Sequence, residues 1–171
     1  MFDFNQLFQQ QSLVGDGALK IDSWHPKEVV PFDIVIDKNG TWFHEGVQIE
    51  NTKILVFLSK LLRFNAGHYF LITPTQAYQI KVEDVPFVID SLVENNLGSF
   101  FVTNQNDLVI IDQNMNIKLK DFFGIQLPYV DIRDNLLARV SRNCYYQLID
   151  EAIQQGREDC VVINKQVIPL A

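Results

Sequence analysis

Three side chains that can bind a ligand or react lie close together in this chain: Trp42, His44 and Glu45. They belong to the run FDIVIDKNGTWFHEGVQI at residues 32–49, which indicates two extended segments around a turn. An imidazole beside a carboxylate is the pairing used in general acid–base catalysis. However, successive side chains of a strand point to opposite faces, so His44 and Glu45 cannot act together. Trp42 and His44 do share a face, and we interpret them as a packed pair or as the aromatic wall of a ligand site.

The turn between the two extended segments decides which residues face each other. Asn39 and Gly40 are typical of a hairpin because both residue types tolerate positive φ. A two-residue loop and a three-residue loop with Gly40 left-handed are both compatible with the sequence. The longer loop places Ile34 opposite His44, and we favour it because Asp37 can then accept hydrogen bonds from the turn amides.

A second group of functional side chains is built from arginines. Periodic apolar residues predict a helix over residues 134–155, with Arg142 and Tyr146 one turn apart and Arg133 just before the first turn. Free amides at a helix N-terminus attract anions, and a guanidinium can hold a carboxylate or phosphate through two parallel bonds. These residues predict a site for an anion or a peptide carboxylate. The alternative is that the arginines pair with acids and hold the parts of the molecule together.

Polar groups at the ends of strands extend the candidate site. Thr73 and Thr103 each close a predicted strand, where they line a cleft or cap a turn. Glu83 and Asp84 stand before a Pro-Phe step, and paired carboxylates can separate their pKa values for acid–base work. Adjacent acids at a strand end also bond to turn amides, which is the alternative here. We predict no catalytic residue, and the predicted ligand-binding set is Trp42, His44, Thr73, Arg133, Arg142 and Tyr146.

Composition and motif spacing argue against several classes of protein. The formal net charge of −7 removes the diffuse basic footprint of nucleic-acid-binding proteins. No apolar run is long enough to cross a membrane, and the first residues do not resemble a secretory signal. The three histidines are isolated and the two cysteines form no CxxC motif, so we expect neither a metal nor a cofactor. We expect reduced thiols and a cytoplasmic protein.

The elements that must position these residues alternate along the chain. Residues 1–12 indicate a short amphipathic helix or a tail. Residues 86–94 suit a helix or a strand, and we favour a strand because β-branched residues are dense there. The remaining predicted elements are a helix over 52–64 capped by Asn51 or Thr52, strands over 68–73 and 78–82, a hairpin over 99–103 and 108–112, strands over 117–120 and 126–132, the helix over 134–155, and a closing hairpin over 160–163 and 166–169.

The order of these elements suggests a structural duplication. Hairpin, helix and strand occur over residues 32–73 and again, more loosely, over residues 99–163. We therefore predict an α+β fold of two tandem, structurally similar halves, each a mainly antiparallel twisted sheet with one main helix. The predicted halves are residues 1–84 and 85–171, packed tightly as one unit with a pocket between them.

The chain also resembles the bacterial family known as domain of unknown function 1285. The segments that carry the resemblance keep their order over nearly the whole chain: WHP, DIVIDKNGTWFHEGVQI, ILVFLSKLL, FLITPTQAYQIKVEDVPF, FVTNQND and LPYVDIRDNLLARVSRNCYYQLI. The resemblance implies a bacterial, cytosolic α+β protein of two tandem halves with no established activity, and a role as a small-ligand sensor or signalling adaptor. In one departure, Gln76 and Ala77 stand where the family pattern leads us to expect a Glu-Lys pair.

Taken together, these patterns predict a non-enzymatic binding module for a small anionic ligand or a peptide, acting in signalling or regulation. Trp42 and His44 would supply the wall of its pocket, Arg133 and Arg142 the charge, and Tyr146 an orienting hydroxyl. One alternative is a hydrolase-like enzyme that uses His44 with a distant carboxylate. Another is an assembly protein, such as a homodimer, that pairs through exposed sheet edges.

Overall fold

Two six-stranded sheets dominate this computed structural model, which describes residues 21–171. The helix predicted over residues 1–12 lies outside the described residues. The first sheet contains β1 (Glu28–Ile36), β2 (Trp42–His44), β3 (Val47–Gln48), β4 (Leu62–Asn65), β5 (His68–Ile72) and β6 (Gln76–Val82). The second sheet contains β7 (Phe87–Asn95), β8 (Gly98–Thr103), β9 (Leu108–Ile110), β10 (Ile117–Phe122), β11 (Ile125–Arg133) and β12 (Leu136–Val140). The other elements are helix α1 (Thr52–Leu61), helix α2 (Arg142–Gln154) and a separate hairpin of β13 (Cys160–Ile163) and β14 (Gln166–Pro169).

The two sheets have the same strand order. The first sheet runs β3-β2-β1-β6-β5-β4, and the second runs β9-β8-β7-β12-β11-β10. Each consists of two antiparallel three-stranded meanders joined by one parallel pair, β1 with β6 and β12 with β7. The prediction of two tandem, similar halves is therefore confirmed. However, the strands equivalent to β1–β6 cover residues 87–140 rather than 99–163, because α1 separates the meanders of the first half whereas α2 follows those of the second.

The hairpin of β1 and β2 has the three-residue loop that the turn chemistry favours. Ile34 pairs with His44, and Gly40 has φ 78. One carboxylate oxygen of Asp37 accepts hydrogen bonds from the amides of Asn39 and Thr41, both at 2.8 Å. The side chain therefore organises the turn, as predicted.

The long helix predicted over residues 134–155 is wrong in its first third. Asp134 and Asn135 have φ 46 and 62 and form a two-residue turn that connects β11 to β12. The helix α2 begins only at Arg142, where the Ser141 hydroxyl accepts a hydrogen bond from the amide of Cys144 at 3.1 Å. The apolar residues between 136 and 140 are compatible with the apolar face of a helix and also with a strand that is buried on both faces. This segment forms a strand because it pairs with β7 in the second sheet.

The other elements follow the predictions more closely. Helix α1 ends at Leu61, three residues before the predicted end, and the chain continues directly into β4. Asn51 is its N-cap and accepts hydrogen bonds from two amides of the first turn. Residues 87–95 form a strand, as favoured, and the closing hairpin has the predicted bounds.

One continuous cluster of buried side chains joins the two halves. It contains residues of both sheets and both helices, including Leu58 of α1, Ile89 of β7 and Leu148 of α2, each at most 1% exposed. The two halves therefore share one core.

Candidate functional site

The aromatic residues of the first hairpin do not form an exposed wall. Trp42 is 1% exposed and belongs to the core, because the face it shares with Ile34 and Ile36 packs inward. Its indole N–H has no hydrogen-bond acceptor among residues 21–171. His44 is half-buried at the edge of the same face, with its ring 5.3 Å from the ring of Phe32.

The two threonines cap turns. The Thr73 hydroxyl donates to the carbonyl of Gln76 at 2.9 Å and accepts from its amide at 3.1 Å. The Thr103 hydroxyl accepts from the amides of Gln105 and Asp107, both at 3.2 Å. These hydrogen bonds of both hydroxyls therefore lie within their own loops.

The structure separates the arginines that the helix prediction had grouped. Arg142 and Tyr146 are exposed on α2, and Arg142 is the first residue of that helix. Arg133 is the last residue of β11, and its guanidinium donates to the carbonyl of Ser59 in α1. Arg133 therefore does not stand at a helix N-terminus, and it contacts the other half of the molecule.

The polar contacts that join the halves centre on Asp84, in the connection between β6 and β7. Its carboxylate accepts from the Arg139 guanidinium at 2.9 Å and from the Tyr129 hydroxyl at 3.0 Å. Arg139 also donates to the carbonyl of Lys38 at 2.7 Å and stacks 3.7 Å from the centre of the Phe122 ring. Burial, with the charge of Asp84, raises the pKa of Tyr129 above its usual value. We call Asp84, Tyr129 and Arg139 the inter-half cluster.

Sequence reasoning missed the role of Arg139 because residue 139 fell within the helix predicted over residues 134–155, whereas it belongs to β12. A second inter-half contact is made by Asn104, which follows Thr103 at the strand end where the sequence suggested either a cleft between the halves or a capped turn. The Asn104 side chain donates to the carbonyl of Gly40 at 2.9 Å and accepts from the amide of Val88 at 3.1 Å. A Cβ on residue 40 would lie 2.6 Å from the Asn104 amide nitrogen, so glycine is required there for close approach as well as for its φ. These contacts lie in the region where the sequence predicted a pocket.

An open cavity of about 630 Å³ lies on the second half, between β9 and the end of β11. We call it the β9 groove, and its lining residues are Asp107, Leu108, Val109, Ile110, Asp112, Asn114, Met115, Asn116, Asp131, Ile132 and Arg133. Its apolar lining includes half-buried residues that pack on the core, such as Val109 and Met115. Three aspartates and one arginine supply its charged groups.

Arg133 is the most unusual group in the β9 groove. Its Nε–H is buried and has no acceptor among residues 21–171, and no ion pair to it is present there. Its guanidinium lies 5.6 Å from the centre of the Phe87 ring. Burial lowers the pKa of Arg133 from its usual value, while nearby Asp107 opposes that shift. The structure therefore holds an incompletely paired cation at the edge of an open groove.

Within residues 21–171, β9 is an edge strand of the two six-stranded sheets that carries no charged residue and no proline, and it has three residues. Proteins guard edge strands with charge, with proline or by keeping them very short. Among the described strands, β3 has two residues, β4 carries Arg63, and β10 carries Lys118 and Lys120. β9 is Leu-Val-Ile, and its Leu108 and Ile110 are 60% and 63% exposed.

A larger cavity, of about 740 Å³, lies on the first half where the pairing of β1 with β6 is irregular. Asp33, His68 and Lys81 in its lining are solvent-exposed, and Tyr69 and Gln79 are half-buried. It has no counterpart of the buried Arg133 donor, so size alone does not make it the better candidate.

Residues 21–171 contain no cluster of potential metal ligands. No described helix is long and apolar enough to cross a membrane.

Two sheets of one strand order, each with a helix, define an α+β protein of two tandem halves. The chain belongs to the DUF1285 family: a model described as "Domain of unknown function (DUF1285), N-terminal domain" matches residues 20–85, and one described as "Protein of unknown function (DUF1285), C-terminal domain" matches residues 86–166. The family resemblance seen in the sequence is thus confirmed. Among curated proteins, none matches this chain.

Two solved structures share the fold. A DUF1285 family protein from Silicibacter pomeroyi DSS-3 is 25% identical with a TM-score of 0.78, over 91% of this chain and 88% of that one. A DUF1285 family protein from Shewanella baltica OS155 is 23% identical with a TM-score of 0.57, over 69% of this chain and 91% of that one. Neither description assigns a function.

Proposed function

We propose that this protein is a non-enzymatic binding module for an extended peptide segment, which adds to the second sheet along β9. The observation that carries the proposal is the uncharged, apolar edge of β9 beside an open groove. Peptides that add to a sheet edge gain affinity from backbone hydrogen bonds and specificity from pockets for alternate side chains. The β9 edge offers the first, and the β9 groove offers the second.

The hydrogen-bond pattern of β9 shows which backbone groups a peptide would meet. The Thr103 amide donates to the Asp107 carbonyl at 3.0 Å, and the Ile111 amide donates to the Ser99 carbonyl at 3.5 Å. Because bonded and non-bonded pairs alternate in an antiparallel ladder, Leu108 and Ile110 direct their N–H and C=O groups away from β8. Two residues of the edge are therefore oriented to pair with an added strand.

The charge of the β9 groove favours a peptide over a small free anion. Asp107, Asp112 and Asp131 outnumber Arg133, and the whole chain carries a formal net charge of −7. A small anion would gain one guanidinium and meet three carboxylates. A peptide instead gains backbone pairing and apolar contact, and its lysine or arginine side chains complement the aspartates. We therefore expect bound segments to be extended and basic.

We place this module in the cytoplasm, in a regulatory or signalling role. Cys144 and Cys160 are both free thiols, which is the usual state in a reducing compartment. A weak, reversible peptide contact on an otherwise closed fold is the kind of interaction that regulation uses.

Selection from a random library of acetylated heptapeptides, followed by fluorescence anisotropy with the enriched peptides, tests the proposal. Leu108→Pro removes one outward N–H while leaving the bonds to β8 in place, since proline is tolerated where an edge N–H faces solvent. We expect it to weaken binding by about tenfold, the upper range for one lost hydrogen bond.

The matched control is Leu108→Ala, which trims the side chain but keeps the amide. Leu97→Ala serves as a control outside the groove, because Leu97 is 87% exposed in the turn between β7 and β8. Failure to enrich any peptide, or equal binding by Leu108→Pro and Leu108→Ala, would refute pairing along β9. Concentration-dependent self-association abolished by Leu108→Pro would instead identify a second copy of the chain as the occupant.

A further inference from the structure

We infer that Arg133 binds a carboxylate of the docked peptide, supplied by its C-terminus or by an aspartate or glutamate side chain. The inference rests on the proposed function, because it assigns a partner group to one residue of the same β9 groove. It defines the ligand class more closely: an extended, basic segment that presents one carboxylate at the Arg133 end of the groove.

The state of the guanidinium supports this assignment. Arginine carries five N–H donors in a rigid fork. For Arg133, the hydrogen bond within residues 21–171 goes to the Ser59 carbonyl, while its Nε–H is buried without an acceptor. A buried donor left without a partner is unfavourable. Since Nε has almost no accessible surface while Arg133 as a whole is only half-buried, a ligand would approach the exposed part of the guanidinium, and Nε would have to shift towards it to gain an acceptor. The site is therefore incomplete as it stands.

The surroundings of Arg133 determine which acceptor suits it. The carbonyl of Ser59 on one side and the ring of Phe87 beneath hold the guanidinium in place. A planar carboxylate matches a planar guanidinium edge with two parallel bonds. A phosphate would bring up to two negative charges close to Asp107 and Asp131, whereas a carboxylate brings one. The chemistry of the groove thus favours a carboxylate over a phosphate.

The same aspartates explain why the peptide should be basic overall. A carboxylate at Arg133 adds a negative charge to a groove with a net excess of aspartate. Lysine or arginine side chains elsewhere in the segment offset that excess, whereas the aspartates of the groove repel acidic competitors. Selectivity then comes from the combination of one carboxylate with several cations.

The test compares the best enriched heptapeptide as a free acid with the same peptide as a C-terminal amide, using unmodified protein. We expect amidation to weaken binding by about tenfold or more, as for loss of a charge-assisted pair. If the carboxylate comes from a side chain, amidation has no effect, and replacing the peptide's aspartate or glutamate by its amide gives the loss instead. If neither change weakens binding, the assignment of Arg133 is wrong while the proposed function stands.

Substitution of Arg133 provides the second measurement. Arg133→Lys keeps the charge but removes Nε and the fork, so we expect it to erase most of the difference between acid and amide forms. Arg142→Lys is the matched control, because Arg142 is an exposed arginine on α2 outside the groove. An undiminished acid–amide difference in Arg133→Lys would overturn the assignment. Failure of every peptide, acid or amide, to bind would refute the proposed function itself.

Discussion

Removal of the Asp84 carboxylate should destabilise the whole molecule, because both halves depend on the inter-half cluster. Asp84→Ala deletes the acceptor of Arg139 and Tyr129, and it leaves the Arg139 charge in a side chain that is only 7% exposed. Breaking one partner of a buried ion pair costs about 3–5 kcal/mol. Asp84 is itself 22% exposed, and Arg139 keeps its bond to the Lys38 carbonyl. We therefore expect a loss of about 2–4 kcal/mol.

Equilibrium unfolding in urea at pH 7 measures this loss, provided that the m-value is unchanged. The chain contains a matched control in the ion pair of Asp22 with Arg63, whose N–O distance is 3.1 Å. Asp22 is 94% exposed in that pair, so its interaction is screened by solvent. Asp22→Ala should lower stability by well under about 1 kcal/mol.

A double variant distinguishes the cost of losing the ion pair from the cost of leaving the Arg139 charge buried without a partner. Arg139→Met keeps an apolar stem against Phe122 and removes the charge. If the reasoning is right, Asp84→Ala combined with Arg139→Met is more stable than Asp84→Ala alone, because no buried charge remains unpaired. Equal losses for Asp84→Ala and Asp22→Ala would show that burial of the inter-half cluster does not matter to stability.

Two further predictions address the helix start and alkaline pH. Ser141→Ala should lower the free energy of unfolding by about 1 kcal/mol because it removes the N-cap of α2. Asp134→Gly, at the start predicted from sequence, removes no cap and adds no strain at the left-handed φ of that residue, so thermal unfolding of both variants decides which residue begins the helix. Burial, with nearby Asp90, raises the pKa of the Cys144 thiol from 9.0 to about 12. Between these values the unfolded chain loses the proton that the folded chain keeps, so stability is full below about pH 9 and falls as pH rises towards 12. Urea unfolding from pH 8 to 11 should show a smaller decline for Cys144→Ala, and an equal decline would exclude the thiol as its source.

Local chemistry made several elements predictable from sequence. The Asn39-Gly40 turn, with Asp37 bonding to its amides, specifies the register of its hairpin within a few residues of chain. The cap at Asn51 and the closing hairpin around residues 164–165 are equally local. Such features depend on contacts between residues near in sequence, so they can be derived without knowledge of the fold.

The segment 134–155 shows where local reasoning fails. Leu136 and Val140 are four apart, which suits one face of a helix, and both also lie on one face of a strand. The left-handed conformations of Asp134 and Asn135 begin a new strand instead of a helix. Because that mistake placed Arg139 within a helix, it concealed the residue that pairs with Asp84.

The structure separates the residues of the predicted site for a related reason. Trp42 and Arg142 were grouped because their chemistry was suitable, yet one is in the core and the other is on an exposed helix face. Arg133 was also singled out from the sequence, but its position was argued from a helix that does not begin there, and its role in binding stays a prediction. Arg133 is now proposed as a ligand-binding residue because it lines the β9 groove and because its Nε–H lacks an acceptor within residues 21–171. Neither feature can be recognised in the sequence.

The sequence by itself determined the α+β class, the tandem halves, the first hairpin and the family, because these depend on periodicity, turn chemistry and motif order. Only the tertiary structure decided that β9 is an uncharged edge, that Asp84 joins the halves and that Arg133 lies half-buried in an open groove. Strand pairing joins residues far apart in the chain, as Arg139 and Lys38 are. Whether a strand is central or at an edge, and whether a charge is paired or orphaned, therefore depends on the complete fold.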